Sequence, residues 1–170
     1  MTIAPLLGRL SALNAVLARW ALYFACACLS GLLAIVVYGV VMRYVFNNAP
    51  SYVEQVALLL VISVAMFAAA AGVRDAQHIG LDSLVAILPA PVRLGCRIVV
   101  QVLTVLFAVA LILGGAEMAI SVRSDTIPTL GIPESFRYGP IIAAGVLVTL
   151  FAIEHIMALA TGKEVARSWH

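Results

Sequence analysis

The stretch AGVRDAQHIGLDSLVAILPAPVR, residues 71–93, breaks an otherwise apolar chain near its middle. Leu81, Leu84, Val85 and Leu88 fall at i, i+3, i+4 and i+7, which is one face of a helix, while Asp82 and Ser83 fall off that face. Pro89 ends the run, and Pro91 suits the first turn of the helix that follows. The piece is too short to cross a bilayer. It is therefore expected to lie at the membrane surface as a short amphipathic helix, approximately residues 79–88. Arg74, Asp75 and His78 form a polar elbow leading into it. The stretch thus divides the chain into two halves, and each half has to be read for what it can span.

Both halves are oil. The chain has 170 residues, 64% hydrophobic and 11% charged. A soluble domain carries about 25% charge, so a bilayer must be the solvent of this protein. Four windows hold the roughly 20 apolar residues a spanning helix needs: Ala12–Val41, Val53–Val73, Leu94–Ile120 and Ile141–Ala160. With their flanks they predict spans at about 12–43, 51–73, 92–122 and 136–160. The first and third exceed the need, which predicts tilt or extension beyond the hydrocarbon. The expected fold class is an all-α integral membrane protein, a single membrane domain of four transmembrane helices with the interfacial helix between the second and third. The first apolar run is too long for the core of a cleaved signal peptide and is expected to stay as the first helix.

Lys and Arg are distributed unevenly. One side collects Arg9, Arg19, Arg74, Arg93, Arg97, Lys163 and Arg167, and the other Arg43, Arg123 and Arg137. The positive-inside rule then places both termini and the 71–93 stretch in the cytoplasm. Trp20, beside Arg19, is expected to anchor the first helix at that interface, and Arg93 and Arg97 to meet lipid phosphates or a partner acid such as Glu154. The net charge of +2 is an orientation signal and not a nucleic-acid footprint.

On the far side, NNAPSYVEQ (residues 47–55) turns the chain into the second helix. Glu54 has two readings there. It closes a capping box with Ser51, or it pairs with Arg43 at the outer end of the neighbouring helix, with Glu117 or Arg123 as further partners, because unpaired charge is costly at that depth. Small residues spaced by four, Ala65/Ala69, Ala68/Gly72, Ala110/Gly114 and Gly115/Ala119, suggest close helix contacts. The second outer loop, about Ser124–Pro140, is stiffened by Pro128, Pro133, Pro140, Gly131 and Gly139.

Chemistry is hard to find. His78 with Asp75 and Asp82 makes a poor metal set. No Ser-His-Asp or Cys-His arrangement shares a face, and a bis-His haem site would need facing histidines inside the bundle. Cys26, Cys28 and Cys96 sit in helices and read as small apolar residues, not as disulfide or redox groups. No catalytic residue, metal or cofactor is expected. Nor do the middles of the four predicted helices carry Asp, Glu, Lys, Arg or His, the intramembrane charges a carrier uses. The residues point to a subunit without its own polar pathway. The alternative is the membrane anchor of another inner-membrane complex, such as a respiratory enzyme.

Several pieces together resemble a family. Arg43-Tyr44-Val45-Phe46, Pro50-Ser51-Tyr52-Val53-Glu54, His78-Ile79-x-x-Asp82 with Pro89 behind it, and Gly131-Ile132-Pro133 with Pro140 are similar to the small membrane subunit (DctQ-type small permease) of tripartite ATP-independent periplasmic (TRAP) transporters. One departure stands at Tyr52-Val53-Glu54-Gln55, where the family often has Trp-x-Glu-Glu. The resemblance implies a bacterial inner-membrane scaffold for a large elevator-type permease, which would take up organic acids on a sodium gradient. It also implies a periplasmic binding protein that delivers the substrate, with the Ser124–Pro140 loop as the candidate contact. His78 and Asp82 are then expected to fix the interfacial helix, through nearby helix ends or the partner subunit. The plainer reading of both residues is solvated loop polars.

Overall fold

The computed structural model describes residues 3–75 and 90–161. Four helices account for most of them: α1 (Ile3–Tyr44), α2 (Tyr52–Asp75), α3 (Ala90–Ser121) and α4 (Gly139–Thr161), with a single 3₁₀ turn, Glu134–Tyr138, leading into α4. All four are long and apolar enough to cross a membrane. α1 has 42 residues and α3 has 32, the two longest of the four. The predicted interfacial helix at 79–88, with His78 and Asp82, lies outside the described residues.

Punctuation in the sequence sets the ends. Pro91 and Pro140 fall in the first turns of α3 and α4, where a missing N–H costs nothing. α1 unwinds through Asn47, which holds φ 48°, a left-handed conformation that Asn tolerates better than most residues. The second loop is a small pinned turn. Ile127 N–H donates to Ile132 O at 2.9 Å and Glu134 N–H to Asp125 O at 2.9 Å. Gly131, at φ 66°, makes the reversal, and Ile127 is buried beneath it.

The helices form a row and not a closed bundle. α1 runs antiparallel along α2, with Phe24 on Phe67 and Gly39 against Val53. α2 lies beside α4, and α4 runs along α3. α1 and α3 share no comparable interface. The order across the row is α1, α2, α4, α3, with α2 and α4 parallel at its centre.

Small residues make the seams. α1 buries Asn14, Ala18, Ala21, Ala25 and Cys28, at alternating spacings of four and three. That is the stripe of a left-handed helix contact. Its large residues, Trp20, Tyr23, Leu33 and Val37, face outward. At the centre, Ala70, Ala108, Ala144 and Val148 form the core. Gly145 makes the tightest crossing of α3 and α4: a Cβ there would stand 2.8 Å from Ile112 Cγ1 and 3.1 Å from the Ala108 carbonyl oxygen. Of the pairs expected from spacing, Gly115 is buried and would meet Ile142 at 3.0 Å, but Ala65, Ala69, Ala110 and Gly114 face outward. Where alanine is abundant, a spacing of four occurs on every face and does not choose one.

The mid-membrane hydroxyls are satisfied within their own helices. Ser30 donates to Cys26 O, Ser63 to Leu59 O, Thr104 to Val100 O and Thr149 to Gly145 O, each one turn back. They cost the bilayer little and open no polar route through it.

Candidate functional site

Charge is confined to two levels. The sequence has no Asp, Glu, Lys, Arg or His between Arg19 and Arg43, Glu54 and Arg74, Arg97 and Glu117, or Arg137 and Glu154. From Glu54 to Arg74 the rise of ~1.5 Å per residue gives about 30 Å, the thickness of a hydrocarbon core. The polar groups therefore bracket the membrane, and at each level they tie helices together.

The more buried level lies where α2 and α4 end and α1 passes. Arg74, 2% exposed, closes the end of α2, and Glu154, 0% exposed, points at it from α4. The guanidinium grips the carboxylate as a fork, Nε to Oε2 at 3.2 Å and Nη2 to Oε1 at 3.2 Å. Such two-point pairing fixes orientation as well as distance. Arg74 Nη2 also donates to Ser11 O of α1 at 3.2 Å, and Nη1 to Asp75 Oδ1 at 3.3 Å. Asn14 of α1 donates its Nδ2 to Glu154 Oε2 at 2.8 Å and to Leu150 O at 3.3 Å. His155, next to Glu154, sets Nε2 3.1 Å from Arg74 O in the last turn of α2. Three helices thus meet on one buried ion pair. Its charges pair with each other, so the cluster ties α1, α2 and α4 together.

The opposite level is looser. Arg137, in the turn before α4, donates Nη2 to Gln55 Oε1 of α2 at 3.0 Å and pairs with Glu134 at 3.0 Å. Tyr38 and Tyr52 share a hydrogen bond of 3.0 Å between α1 and α2. Arg43 Nη2 stands 3.6 Å from Glu54 Oε1, with the two side chains 59% and 79% exposed. The parallel seam of α2 and α4 is therefore pinned near both ends, by Gln55–Arg137 and by Arg74–Glu154.

The profile of the family described as tripartite ATP-independent periplasmic transporters, DctQ component, matches residues 32–162, from the middle of α1 through the end of α4. The chain belongs to that family. A protein of Haemophilus influenzae described as a TRAP transporter small permease protein is 27% identical over 140 residues, which is 81% of this chain and 86% of that one. The chain is thus a small permease component of a TRAP transporter, a multi-pass protein of the bacterial inner membrane, and the family is one of transporter parts.

The site residues of this small permease fall into three groups. Arg43 and Glu54 are brought together, and Glu117 and Arg123 join no side-chain ion pair among the described residues. Trp20 is exposed on α1 and packs edge-on against Tyr23, with ring centres 6.5 Å apart. Arg93 and Arg97 stand half-buried at the start of α3. Glu154 differs from expectation. It is no lipid or partner contact, because its face of α4 points into the row, where Arg74 and Asn14 claim the carboxylate. His78 and Asp82 lie outside the described residues. Arg74 entered the sequence reading only as part of the polar elbow, and Asn14, His155 and the Gln55–Arg137 bond were not chosen as sites. The available signal was that an Asn, an Arg and a Glu each interrupt an apolar helix at the same end of the molecule, where an unpaired charge is not tolerated. Among the described residues, no three His, Cys, Asp or Glu gather as metal ligands.

Proposed function

We propose that this chain is the static membrane scaffold of its transporter. It packs against a large permease that carries substrate by an elevator motion on a sodium gradient, fed by a periplasmic binding protein with organic acids. The observation that carries the reading is the confinement of Asp, Glu, Lys, Arg and His to two levels, between which the side chains are apolar apart from hydroxyls bonded within their own helices and the buried amide of Gln101. A carrier uses ionisable groups at mid-depth to bind and release a polar substrate, and no Asp, Glu, Lys, Arg or His of this chain stands there. What it does offer is apolar surface on both outer helices, with Leu33 and Val37 on α1 and Leu106, Phe107 and Leu113 on α3.

The termini lie in the cytoplasm in this reading. Arg74 is withdrawn into its ion pair, but Arg9, Arg19, Arg93, Arg97, Lys163 and Arg167 still outweigh Arg43, Arg123 and Arg137. The Thr126–Pro133 turn then faces the periplasm, where it is placed to meet the binding protein. His78 and Asp82 act in this reading through nearby helix ends or the permease.

Co-purification in mild detergent, with a C-terminal tag and the neighbouring genes co-expressed, tests the scaffold role. The expected result is a stoichiometric large multi-span permease whose uptake falls when this chain is omitted. Recovery of the chain alone, or with a redox enzyme, refutes the reading.

A further inference from the structure

At the loop end of α1 and α2 lies a groove of about 280 Å³, floored by Gly39, Val40, Val53 and Ala57 and headed by Arg43 and Glu54. Its volume is near the ~300 Å³ at which small-ligand pockets begin. Val53 packs directly onto Gly39, where a Cβ would stand 2.7 Å from Val53 Cγ1, and Ala57 adds only a methyl to the floor. The head is unusual. Arg43 and Glu54 are 3.6 Å apart, longer than the ~2.9 Å of a charge-assisted hydrogen bond, and both are largely exposed. Among the described residues, no other hydrogen bond or ion pair occupies either side chain. A guanidinium fork and a carboxylate therefore sit side by side above an apolar trough, with most of their hydrogen-bonding capacity unused.

We infer that this groove binds one phospholipid with a phosphoethanolamine head from the adjoining leaflet. The Arg43 fork takes the phosphate oxygens, Glu54 accepts from the primary ammonium, and the start of an acyl chain lies over Val40, Val53 and Ala57. Charge complementarity selects the head. The lipid carries an anion and a hydrogen-bonding cation next to each other, in the same order as the protein's cation and anion. A phosphocholine head keeps the charge but has no N–H to give Glu54. A phosphoglycerol head has no cation and sets its phosphate against the carboxylate. The site does not depend on the scaffold reading, because it is built within α1 and α2 alone.

The test is native mass spectrometry of the full chain, purified in detergent and titrated with phosphatidylethanolamine, phosphatidylcholine or phosphatidylglycerol. One equivalent of phosphatidylethanolamine is expected to stay bound, with a preference of about tenfold over the other two, the worth of one hydrogen bond to a charged group. Glu54→Gln should erase the preference over phosphatidylcholine and leave phosphate binding in place. Arg43→Gln should weaken all three. Ala57→Phe, which fills the trough and leaves both charges, should lose the bound equivalent while far-UV circular dichroism stays native, so that loss of binding is separated from loss of fold. A phosphatidylethanolamine with a photoreactive acyl chain should mark residues between Val36 and Ala57. Equal retention of all three lipids, unchanged binding in Ala57→Phe, or marks confined to other helices would overturn the site.

Discussion

Glu154→Gln tests the buried junction most directly. The substitution keeps the shape and removes the charge. In the native protein Glu154 accepts two hydrogen bonds from Arg74 at 3.2 Å and one from Asn14 at 2.8 Å, with its own exposure at 0%. Stripping one partner from a buried ion pair costs about 3–5 kcal/mol, mainly because the other charge stays buried. Here Arg74 keeps Asp75 at 3.3 Å and Ser11 O at 3.2 Å, so its guanidinium is not left bare. That places the expected loss at the lower edge, about 3 kcal/mol. Asp75→Asn alone should cost less, because Asp75 is partly solvated, but combined with Glu154→Gln it should cost more than the sum of the two, since together they remove both carboxylates. Replacing both charges, Arg74→Met with Glu154→Leu, should recover much of the loss from Glu154→Leu alone, as apolar pairs often match buried ions. The assay is equilibrium unfolding in mixed micelles with sodium dodecyl sulfate, followed by far-UV circular dichroism. A Glu154→Gln protein within about 0.5 kcal/mol of the native one, the range of an ordinary surface change, would refute the view that this carboxylate neutralises Arg74 and joins three helices.

Two further substitutions probe the seams by the same unfolding measurement. Gly145→Ala drives a methyl against Ile112 and the Ala108 carbonyl and should cost about 1–3 kcal/mol, whereas Gly114→Ala, with nothing within 4 Å, should be neutral or gain up to about 1 kcal/mol of helix propensity. Gln55→Glu turns the 3.0 Å bond from Arg137 into an ion pair near the surface and should add at most about 1 kcal/mol, a gain that disappears in an Arg137→Gln background.

The sequence carried the fold at the level of its solvent. Apolar run length and the prolines at 91 and 140 locate α1 to α4 without any tertiary knowledge. The Arg43–Glu54 contact was legible too, because both residues flank a short loop and so lie at the same depth. Neighbours across the row were not. Glu154 faces Arg74 and not the arginines of α3 because α4 lies between α2 and α3 and turns that face toward α2, and helix order is not written in hydropathy. The small-residue seams were half legible. The four-and-three spacing of Asn14, Ala18, Ala21, Ala25 and Cys28 is present in the sequence, but alanines on other faces mask it. Only the large residues opposite, Trp20, Tyr23, Leu33 and Val37, mark which stripe is inside, and they do so by a rule inverted from soluble proteins. In lipid the bulky apolar side chains lose nothing by facing out, while close packing rewards small ones.

The row arrangement bears on how such a subunit recognises its partner. A closed four-helix bundle would bury most of each helix and offer little surface. Here α2 and α4 are pinned to each other near both membrane faces, Gln55 to Arg137 and Arg74 to Glu154, so the centre of the row resists shear. The buried cluster uses its polar groups internally, which leaves them unavailable for recognition. In the scaffold reading proposed above, specificity comes from the shape of the apolar edges on α1 and α3 and from the polar residues of the loop end. Apolar shape matching in lipid gives a broad, additive interface in which single substitutions matter little. In that reading, the polar residues near the two membrane faces are the positions at which one substitution changes which permease the row accepts.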